Sequence, residues 1–343
     1  MAEIYQGEPF SNGFEGNDLL SIDQFGDRSE LQTVFDLAFS MRSLARERKL
    51  PRILSGYSVF NMAGEASTRT LFSTDIAMRN LGADVTTVQD MSKMSMGGEE
   101  EGGKGESLQD TVKTLSQLYD IIFMRHKEVG AVSVAAEAAS IPVVNSGDGS
   151  GEHPTQALLD LFTIKDTMGA IDGLEVTVLG DNLYSRANHS LVKGLALYER
   201  VIVNYVSPQE LMPPQSLVDS LTTRGLQQRF FTDVRDVLPT TDFLMGSRVQ
   251  AVRYKNKAVY ERFKDSYKIT TEMLDALLKD GGLIGHAMPV KSEYTEAVKD
   301  DPRNVMYQQV NNGKHIRQAI AALLLGKSLP SLESKPYSLL TEL

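Results

Sequence analysis

Short β-rich runs alternate with helical patterns along most of the chain, and this alternation constrains the fold more than any other feature of the sequence. Each run ends in a polar or glycine-containing turn; the runs lie at residues 57–63, 119–125, 141–146, 175–180, 201–206 and 282–286. Strands that alternate with helices form parallel sheets covered by helices on both faces. The sequence therefore predicts an α/β fold built from doubly wound parallel sheets.

The length of the chain predicts two domains. It has 343 residues, enough for two compact domains of about 150 residues each. A glycine-rich run at residues 146–151 precedes a predicted helix at about 153–168, which favours a domain change there. The predicted domains are residues 1–152, completed by a C-terminal helix at 308–343, and residues 153–307, joined by helices. Ligands are expected beyond the carboxyl ends of the strands.

Composition excludes several function classes. The chain has no cysteine, which excludes disulfides, thiolate metal sites and a cysteine nucleophile. Its formal net charge of −10 opposes non-specific binding to nucleic acid or to an acidic membrane surface. The first residues lack the pattern of a signal peptide, and no apolar run is long enough to span a membrane, so we expect a cytoplasmic protein.

The segment Ser67-Thr68-Arg69-Thr70 follows the first predicted strand and opens a helical pattern at residues 71–81. Free backbone N–H groups and the dipole at a helix N-terminus favour a phosphate, and the hydroxyls and guanidinium add directed donors. Ser and Thr are also favoured helix caps, so a capping segment with a surface arginine explains these four residues equally well.

The segment His153-Pro154-Thr155-Gln156 follows the glycine-rich turn, at the start of another predicted helix. Its imidazole and amide are donors that suit a carbonyl oxygen on which negative charge develops. A capping histidine with a solvent-facing glutamine is the alternative, and for these four residues alone it is the better one.

Four arginines, Arg125, Arg186, Arg248 and Arg253, each follow a separate predicted strand or its turn. Guanidinium groups match carboxylate and phosphate geometry, so convergence of these side chains would suit a substrate with several anionic groups. Most arginines are solvated surface residues, and the pattern alone does not exclude that reading. The five histidines are not spaced as a zinc motif, and no metal is expected.

With these residues assembled, the chain resembles the aspartate/ornithine carbamoyltransferase family from about residue 20 to 325. The resemblance is carried by residues 65–70, Lys104-Gly105-Glu106-Ser107, Met124-Arg125-His126, residues 147–164, Gly180-Asp181 with Arg186, Arg248-Val249-Gln250, and His286 with Pro289. Several motifs in the family's order are far more specific than any one of them.

The resemblance implies that the first domain binds carbamoyl phosphate and the second binds the amino acid, with the active site in the interdomain cleft. Ser67, Thr68, Arg69 and Thr70 would hold the phosphate. Arg125, His153 and Thr70 would polarise the carbamoyl carbonyl, and Gln156 would hold the amide. By the same resemblance, the catalytic groups are Arg69, Thr70, Arg125 and His153.

For the acceptor, the resemblance implies that Arg186, Arg248 and Gln250 hold two carboxylates of aspartate, while carbonyl oxygens around Met288 and Pro289 guide the amine. The resemblance also implies a homotrimer with shared active sites, in which Lys104 and Ser95 match residues that the neighbouring subunit supplies. Lys104 would contact both substrates. No metal and no organic cofactor is implied, and a regulatory chain stays an open question.

Departures from the family pattern leave alternatives open. Leu71 stands where the family usually has arginine, Ala187 and Ala287 replace a threonine and a proline, and Glu99 to Glu101 form an acidic insert. The ornithine branch has a cysteine at position 287, and a cationic side chain would be repelled by Arg248, so aspartate is favoured. A carbamoyltransferase for another acceptor and a non-catalytic trimeric paralogue are the remaining alternatives.

Overall fold

The computed structural model describes residues 7–64, 68–90, 94, 105–249, 261–263 and 267–330. The chain divides into two compact units, of which unit 1 is residues 1–159 with 310–343 and unit 2 is residues 160–309. Each unit contains one all-parallel sheet, which confirms the predicted α/β fold class. None of the helices in the described ranges is long and apolar enough to cross a membrane.

Unit 1 contains a four-stranded sheet with the order β2-β1-β3-β4. Its strands are β1 (Ser58–Ala63), β2 (Asp84–Val88), β3 (Ile121–His126) and β4 (Val143–Asp148). Its helices include α1 (Arg28–Arg46), α2 (Thr68–Asn80), α3 (Leu108–Leu115) and α4 (Ala131–Ala138). The two central strands and β4 are almost continuously buried, as expected for a parallel sheet covered on both faces.

Unit 2 contains a five-stranded sheet with the order β7-β6-β5-β8-β9. Its strands are β5 (Glu175–Leu179), β6 (Ile202–Val206), β7 (Gln227–Phe231), β8 (Phe243–Gly246) and β9 (Leu283–His286). Its helices include α6 (Arg186–Leu195), α7 (Gln215–Thr223), α8 (Thr271–Leu277) and α9 (Glu296–Lys299). Leu179, Val206, Leu244 and Ile284 contribute one side chain from each of four strands to a single apolar cluster.

Two helices belong to both units. Helix α5 (Pro154–Met168) begins in unit 1 and ends in unit 2, and α10 (Met306–Leu324) begins in unit 2 and ends in unit 1. Helix α10 ends in a Schellman motif, in which Gly326 has φ 62° while Gly326 N–H donates to Leu323 O and Lys327 N–H donates to Ala322 O. The helix predicted at 308–343 therefore does not continue through the described residues 325–330.

The six predicted strand runs correspond to β1, β3, β4, β5, β6 and β9, whereas the edge strands β2 and β7 and the four-residue strand β8 are not among the predicted runs. Strands β2 and β7 mix exposed and half-buried residues and have no fully buried one. Their sequences therefore lack the apolar run that marks the predicted strands.

Candidate active-site residues

The predicted site residues of unit 1 lie where the direction of strand addition in the sheet reverses. From β1 the chain adds β2 on one side and then returns to place β3 on the other side of β1. The residues after β1 and at the end of β3 therefore flank the topological switch point, which is the usual ligand position in open parallel sheets. Thr70 lies in the first turn of α2, which follows β1, and Arg125 lies in β3 directly opposite Ala63 of β1.

The structure brings Thr70 and Arg125 together. The Arg125 guanidinium Nη1 lies 3.5 Å from the Thr70 hydroxyl, and Gly64 N–H donates to Arg125 O at 2.8 Å. Thr70 is buried, whereas Thr68 and Arg69 in the first turn of α2 are exposed. The Thr70 hydroxyl and the Arg125 guanidinium thus lie together at the start of a 13-residue helix, an arrangement that favours an anion.

Leu71, which departs from the family pattern, is buried in unit 1 with 3% of its surface exposed. Its carbonyl oxygen accepts a hydrogen bond from the Asn61 side-chain amide at 3.0 Å. An apolar side chain therefore fills this position of α2.

His153 is the N-cap residue of α5 and is 5% exposed. Its carbonyl oxygen accepts from the N–H groups of Gln156 and Ala157. Its Nδ1 lies 3.3 Å from the hydroxyl of Thr155, which is completely buried. A hydroxyl that donates to Nδ1 would leave the proton on Nε2, and the imidazole could then act as a donor.

The turn before His153 depends on glycine. Gly149 has φ 51°, and a Cβ atom there would lie 2.7 Å from Val129 N. The Asp148 carboxylate accepts from Gly130 N–H at 2.8 Å, which fixes this turn to the start of α4. The close approach of Gly149 to Val129 and the Asp148–Gly130 hydrogen bond therefore both fix the turn that precedes His153.

In unit 2 the switch point lies between β5 and β8, because β6 and β7 extend the sheet on one side of β5 while β8 and β9 extend it on the other. Arg186 is the first residue of α6, after β5, and Arg248 is the second residue after β8. Arg186 is 7% exposed, and Arg248 is half-buried. Two cations thus follow the two strands that flank the second switch point.

The backbones after β5 and β8 approach each other closely. Gly180 has φ 119°, and a Cβ atom there would lie 1.9 Å from Ser247 O. Ser247 N–H donates to Leu179 O at 2.8 Å, which continues the pairing of β5 with β8 beyond its end. Only glycine fits at this contact.

Met288 and Pro289 form a turn after β9 that His286 holds. Met288 N–H donates to His286 Nδ1 at 2.7 Å, and Ala287 N–H donates to Gly246 O at 3.1 Å. Met288 has φ 57°. His286 is 1% exposed, and its Nε2 lies 3.8 Å from a Glu293 carboxylate oxygen that is equally buried. The hydroxyl of buried Tyr294, whose pKa is raised far above its usual range by burial, donates to Gly285 O at 2.6 Å.

Four predicted site residues, Ser67, Ser95, Lys104 and Gln250, lie outside the described residues, as do Arg253 and the insert Glu99 to Glu101. Sequence reasoning did not single out Thr155, Asn182, Asn188, Glu293 or Tyr294, which contact or support the predicted residues. The sequence could have indicated Thr155, because this residue lies between the predicted site residues His153 and Gln156. Within the described ranges, no three His, Cys, Asp or Glu side chains are grouped to hold a metal ion.

Fold and site together define a class: two parallel α/β units, each with cationic side chains at a sheet switch point. Two family models match this chain, the aspartate/ornithine carbamoyltransferase carbamoyl-P binding domain over residues 17–166 and the Asp/Orn binding domain over residues 172–324. The chain belongs to the aspartate/ornithine carbamoyltransferase family.

Individual relatives agree with this assignment. The chain is 36% identical over 318 residues to the aspartate carbamoyltransferase catalytic subunit of Hyperthermus butylicus, covering 93% of this chain and 99% of that one. It is 39% identical over 315 residues to the multifunctional protein pyr1-3 of Dictyostelium discoideum, covering 92% of this chain. It spans 14% of the length of pyr1-3, and also 14% of the multifunctional protein CAD of Squalus acanthias.

A solved structure is similar over nearly the whole chain. Aspartate transcarbamoylase from Trypanosoma cruzi, in complex with carbamoyl phosphate and aspartate, superposes with a TM-score of 0.85 at 29% identity, covering 94% of this chain and 100% of that one.

Proposed function

We propose that this chain transfers the carbamoyl group of carbamoyl phosphate to the amine of L-aspartate, giving N-carbamoyl-L-aspartate and phosphate. The observation that carries the proposal is the placement of Thr70 with Arg125 at one switch point and of Arg186 with Arg248 at the other. The similar Trypanosoma cruzi protein was solved with both of these substrates, which supports the same pair here.

Unit 1 binds carbamoyl phosphate in this proposal. Ser67, Thr68, Arg69 and Thr70 hold the phosphate at the start of α2. Arg125, Thr70 and the Nε2–H of His153 donate to the carbamoyl oxygen, and Gln156 holds the amide. Because these donors are fixed before the reaction, they stabilise the oxyanion that forms when the carbonyl carbon becomes tetrahedral.

Unit 2 binds the acceptor. Arg186, Arg248 and Gln250 hold the two carboxylates of aspartate, and the carbonyl oxygens of the Met288–Pro289 turn orient the amine. The amine nitrogen attacks the carbonyl carbon, a C–N bond forms, and the C–O bond to phosphate breaks. The departing phosphate takes up the proton lost by the amine and leaves as the hydrogen phosphate dianion, so positioning and electrostatics carry the reaction.

Two further parts of the proposal concern assembly and location. We propose a homotrimer in which Lys104 and Ser95 of one subunit contribute to the site of the next. We also propose a cytoplasmic location. Sedimentation and imaging of the tagged protein in its own cells would test the two separately.

The experiment that tests the reaction is a transfer assay with carbamoyl phosphate and a panel of acceptors: aspartate, ornithine and putrescine. We expect N-carbamoyl-L-aspartate, identified by mass, to form with stoichiometric phosphate and without added metal. The Arg125→Ala chain is the matched control for non-enzymatic carbamoylation. Product from ornithine or putrescine alone would refute the acceptor, and no product from any acceptor would favour a non-catalytic paralogue.

A further inference from the structure

A buried hydrogen-bond network joins the segments after β5, β6 and β8 in unit 2. Asn188 Nδ2 donates to Asn182 Oδ1 at 2.6 Å and to the Ser247 hydroxyl at 3.1 Å. Asn182 Nδ2 donates to the Ser207 hydroxyl at 2.8 Å, and that hydroxyl donates to Gly180 O at 2.6 Å. All four side chains are at most 3% exposed. Two amides and two hydroxyls therefore bridge the ends of three strands.

The network lies directly beside both arginines of unit 2. Asn188 is in the first turn of α6, which begins at Arg186, and its N–H donates to the N-cap hydroxyl of Ser185 at 3.4 Å. Ser247 immediately precedes Arg248, and its hydroxyl donates to Leu179 O at 3.0 Å. The Asn188–Ser247 hydrogen bond is thus a side-chain link between the element that begins with Arg186 and the segment that carries Arg248.

Asn188 acts in this network as a hydrogen-bond donor. Its Nδ2 makes both hydrogen bonds, whereas its Oδ1 is buried with no hydrogen-bond partner among the described residues. A buried polar atom without a partner is costly, and an apolar side chain of similar size would avoid that cost. Helix stability alone therefore does not explain asparagine here.

We propose that Asn188 is a positioning residue for the acceptor, which fixes the spacing of Arg186 and Arg248 through Asn182 and Ser247. The inference rests on the proposed function, because it assigns both arginines to one dicarboxylate. Two carboxylates joined by a short carbon chain require two cations at a set separation. A link across the switch point holds that separation before the substrate binds, which lowers the cost of ordering the site.

The test uses the full chain and the variants Asn188→Val, Ser247→Ala and their double variant. The matched control is Thr177→Val, which removes another fully buried hydrogen bond of unit 2, between the Thr177 and Thr241 hydroxyls at 2.7 Å in the middle of β5. Thermal unfolding and circular dichroism establish that each variant folds. The kinetic constants for both substrates are then measured, together with calorimetric affinity for succinate, which has the two carboxylates of aspartate and no amine.

We expect Asn188→Val to raise the aspartate KM by ~5-fold or more and to weaken succinate binding by a similar factor, about the effect of one lost hydrogen bond. The carbamoyl phosphate KM should change by less than about 2-fold, because the residues proposed to bind carbamoyl phosphate belong to unit 1 and to the neighbouring subunit. Ser247→Ala should act in the same direction, and the double variant should show less than the product of the single effects, because both remove one link.

Each outcome decides the proposal. If Asn188→Val and Thr177→Val lose similar stability and have equal aspartate KM values, the positioning role is wrong while the proposed reaction stands. If wild-type protein does not use aspartate, the reaction itself is wrong, and this role is overturned with it. Should Asn188→Val not fold, Ser247→Ala against Thr177→Val makes the same comparison.

Discussion

At the scale of single residues, each proposed arginine belongs to one substrate. Arg69 is exposed in the first turn of α2 in unit 1, and Arg248 follows β8 in unit 2. A guanidinium that pairs with a buried or partly buried carboxylate leaves that charge uncompensated when it is removed, which costs on the order of 2–5 kcal/mol. The two residues therefore predict different defects when each is replaced by alanine.

Arg248→Ala should reduce kcat/KM for aspartate by at least ~30-fold, at ~1.4 kcal/mol per decade. Carbamoyl phosphate binding, measured alone by calorimetry, should change by less than about a decade, because a charge that does not contact the ligand acts through a screened interaction. Arg69→Ala should abolish carbamoyl phosphate binding. Arg235→Ala, which removes an exposed arginine paired with Asp233, is the control that should alter neither. Loss of carbamoyl phosphate binding in Arg248→Ala with intact aspartate kinetics would contradict this division.

His286 gives a second residue-level prediction, about the turn that follows β9. His286→Ala removes the acceptor of the half-buried Met288 N–H group, so the Met288–Pro289 turn should loosen. We expect kcat/KM for aspartate to fall ~10-fold, which corresponds to the ~1.4 kcal/mol of one lost hydrogen bond. His286→Asn keeps an acceptor near the Nδ1 position and should recover most of the activity. Steady-state kinetics of the two variants check this, and equal losses in both would show that the Nδ1 acceptor is not what matters.

At the scale of elements, β1, β3, β4, β5, β6 and β9 were predictable from their sequences, whereas β2, β7 and β8 were not. β1, β3 and β4 contain apolar runs because helices cover both faces of the sheet, so their sequences alone mark them. β2 and β7 lie at sheet edges, where exposed Thr and Gln side chains are tolerated, and no apolar run identifies them. Burial explains the failure at β2 and β7, whereas β8 is fully buried but only four residues long.

The order of the strands in each sheet could not be predicted from the sequence either. The polar turns after β1, β3, β5 and β8 are visible as motifs, but their meeting at two switch points depends on pairing between distant segments. The same holds for Asn182, Asn188, Ser207 and Ser247, whose burial becomes meaningful only when their partners are known. Local motifs thus predicted the residues that would bind the substrates. The tertiary structure was needed to find the residues that position those side chains.

At the scale of the whole molecule, His315 should make stability fall in acid. It is 2% exposed on α10, and its Nδ1 contacts Gln318 Oε1 at 2.9 Å. Burial, followed by the charge of Lys314, lowers the pKa of His315 to about 4. Above the unfolded-state pKa of about 6.5, neither state holds the proton, and the folded state keeps its full stability. As pH falls from about 6.5 to 4, only the unfolded state binds the proton, so the native state loses on the order of 3 kcal/mol.

The measurement is the urea midpoint of unfolding between pH 7 and 4 for wild type and His315→Asn, which keeps a donor for Gln318. We expect the variant to be less stable at neutral pH and to depend less steeply on pH. Ile316→Val, at a fully buried neighbour on α10, should lower stability by about 1 kcal/mol at every pH. An unchanged slope in His315→Asn would mean that other groups account for the acid sensitivity.

The proposed sharing of sites predicts complementation between chains. Lys104→Ala and Arg69→Ala proteins should each be nearly inactive. If the two are unfolded, mixed in equal amounts and refolded, some sites will combine an intact Arg69 with an intact Lys104 of the neighbour, about one quarter in a random cyclic trimer. Recovery of roughly that fraction of wild-type activity supports the shared site. No recovery, with mixed trimers shown by mass spectrometry, would mean that each chain completes its own site.

The two helices that belong to both units, α5 and α10, limit where unit 2 can be exchanged between relatives to change the acceptor specificity. Unit 2 is one continuous stretch, residues 160–309, inserted into unit 1, and both of its junctions fall inside a helix. A grafted acceptor unit from a relative must therefore keep helical phase at both splice points. One residue too many or too few turns everything beyond it by about 100°. Chimeras joined in phase at both junctions should fold, whereas those joined at more convenient loops will carry parts of both parents in each unit.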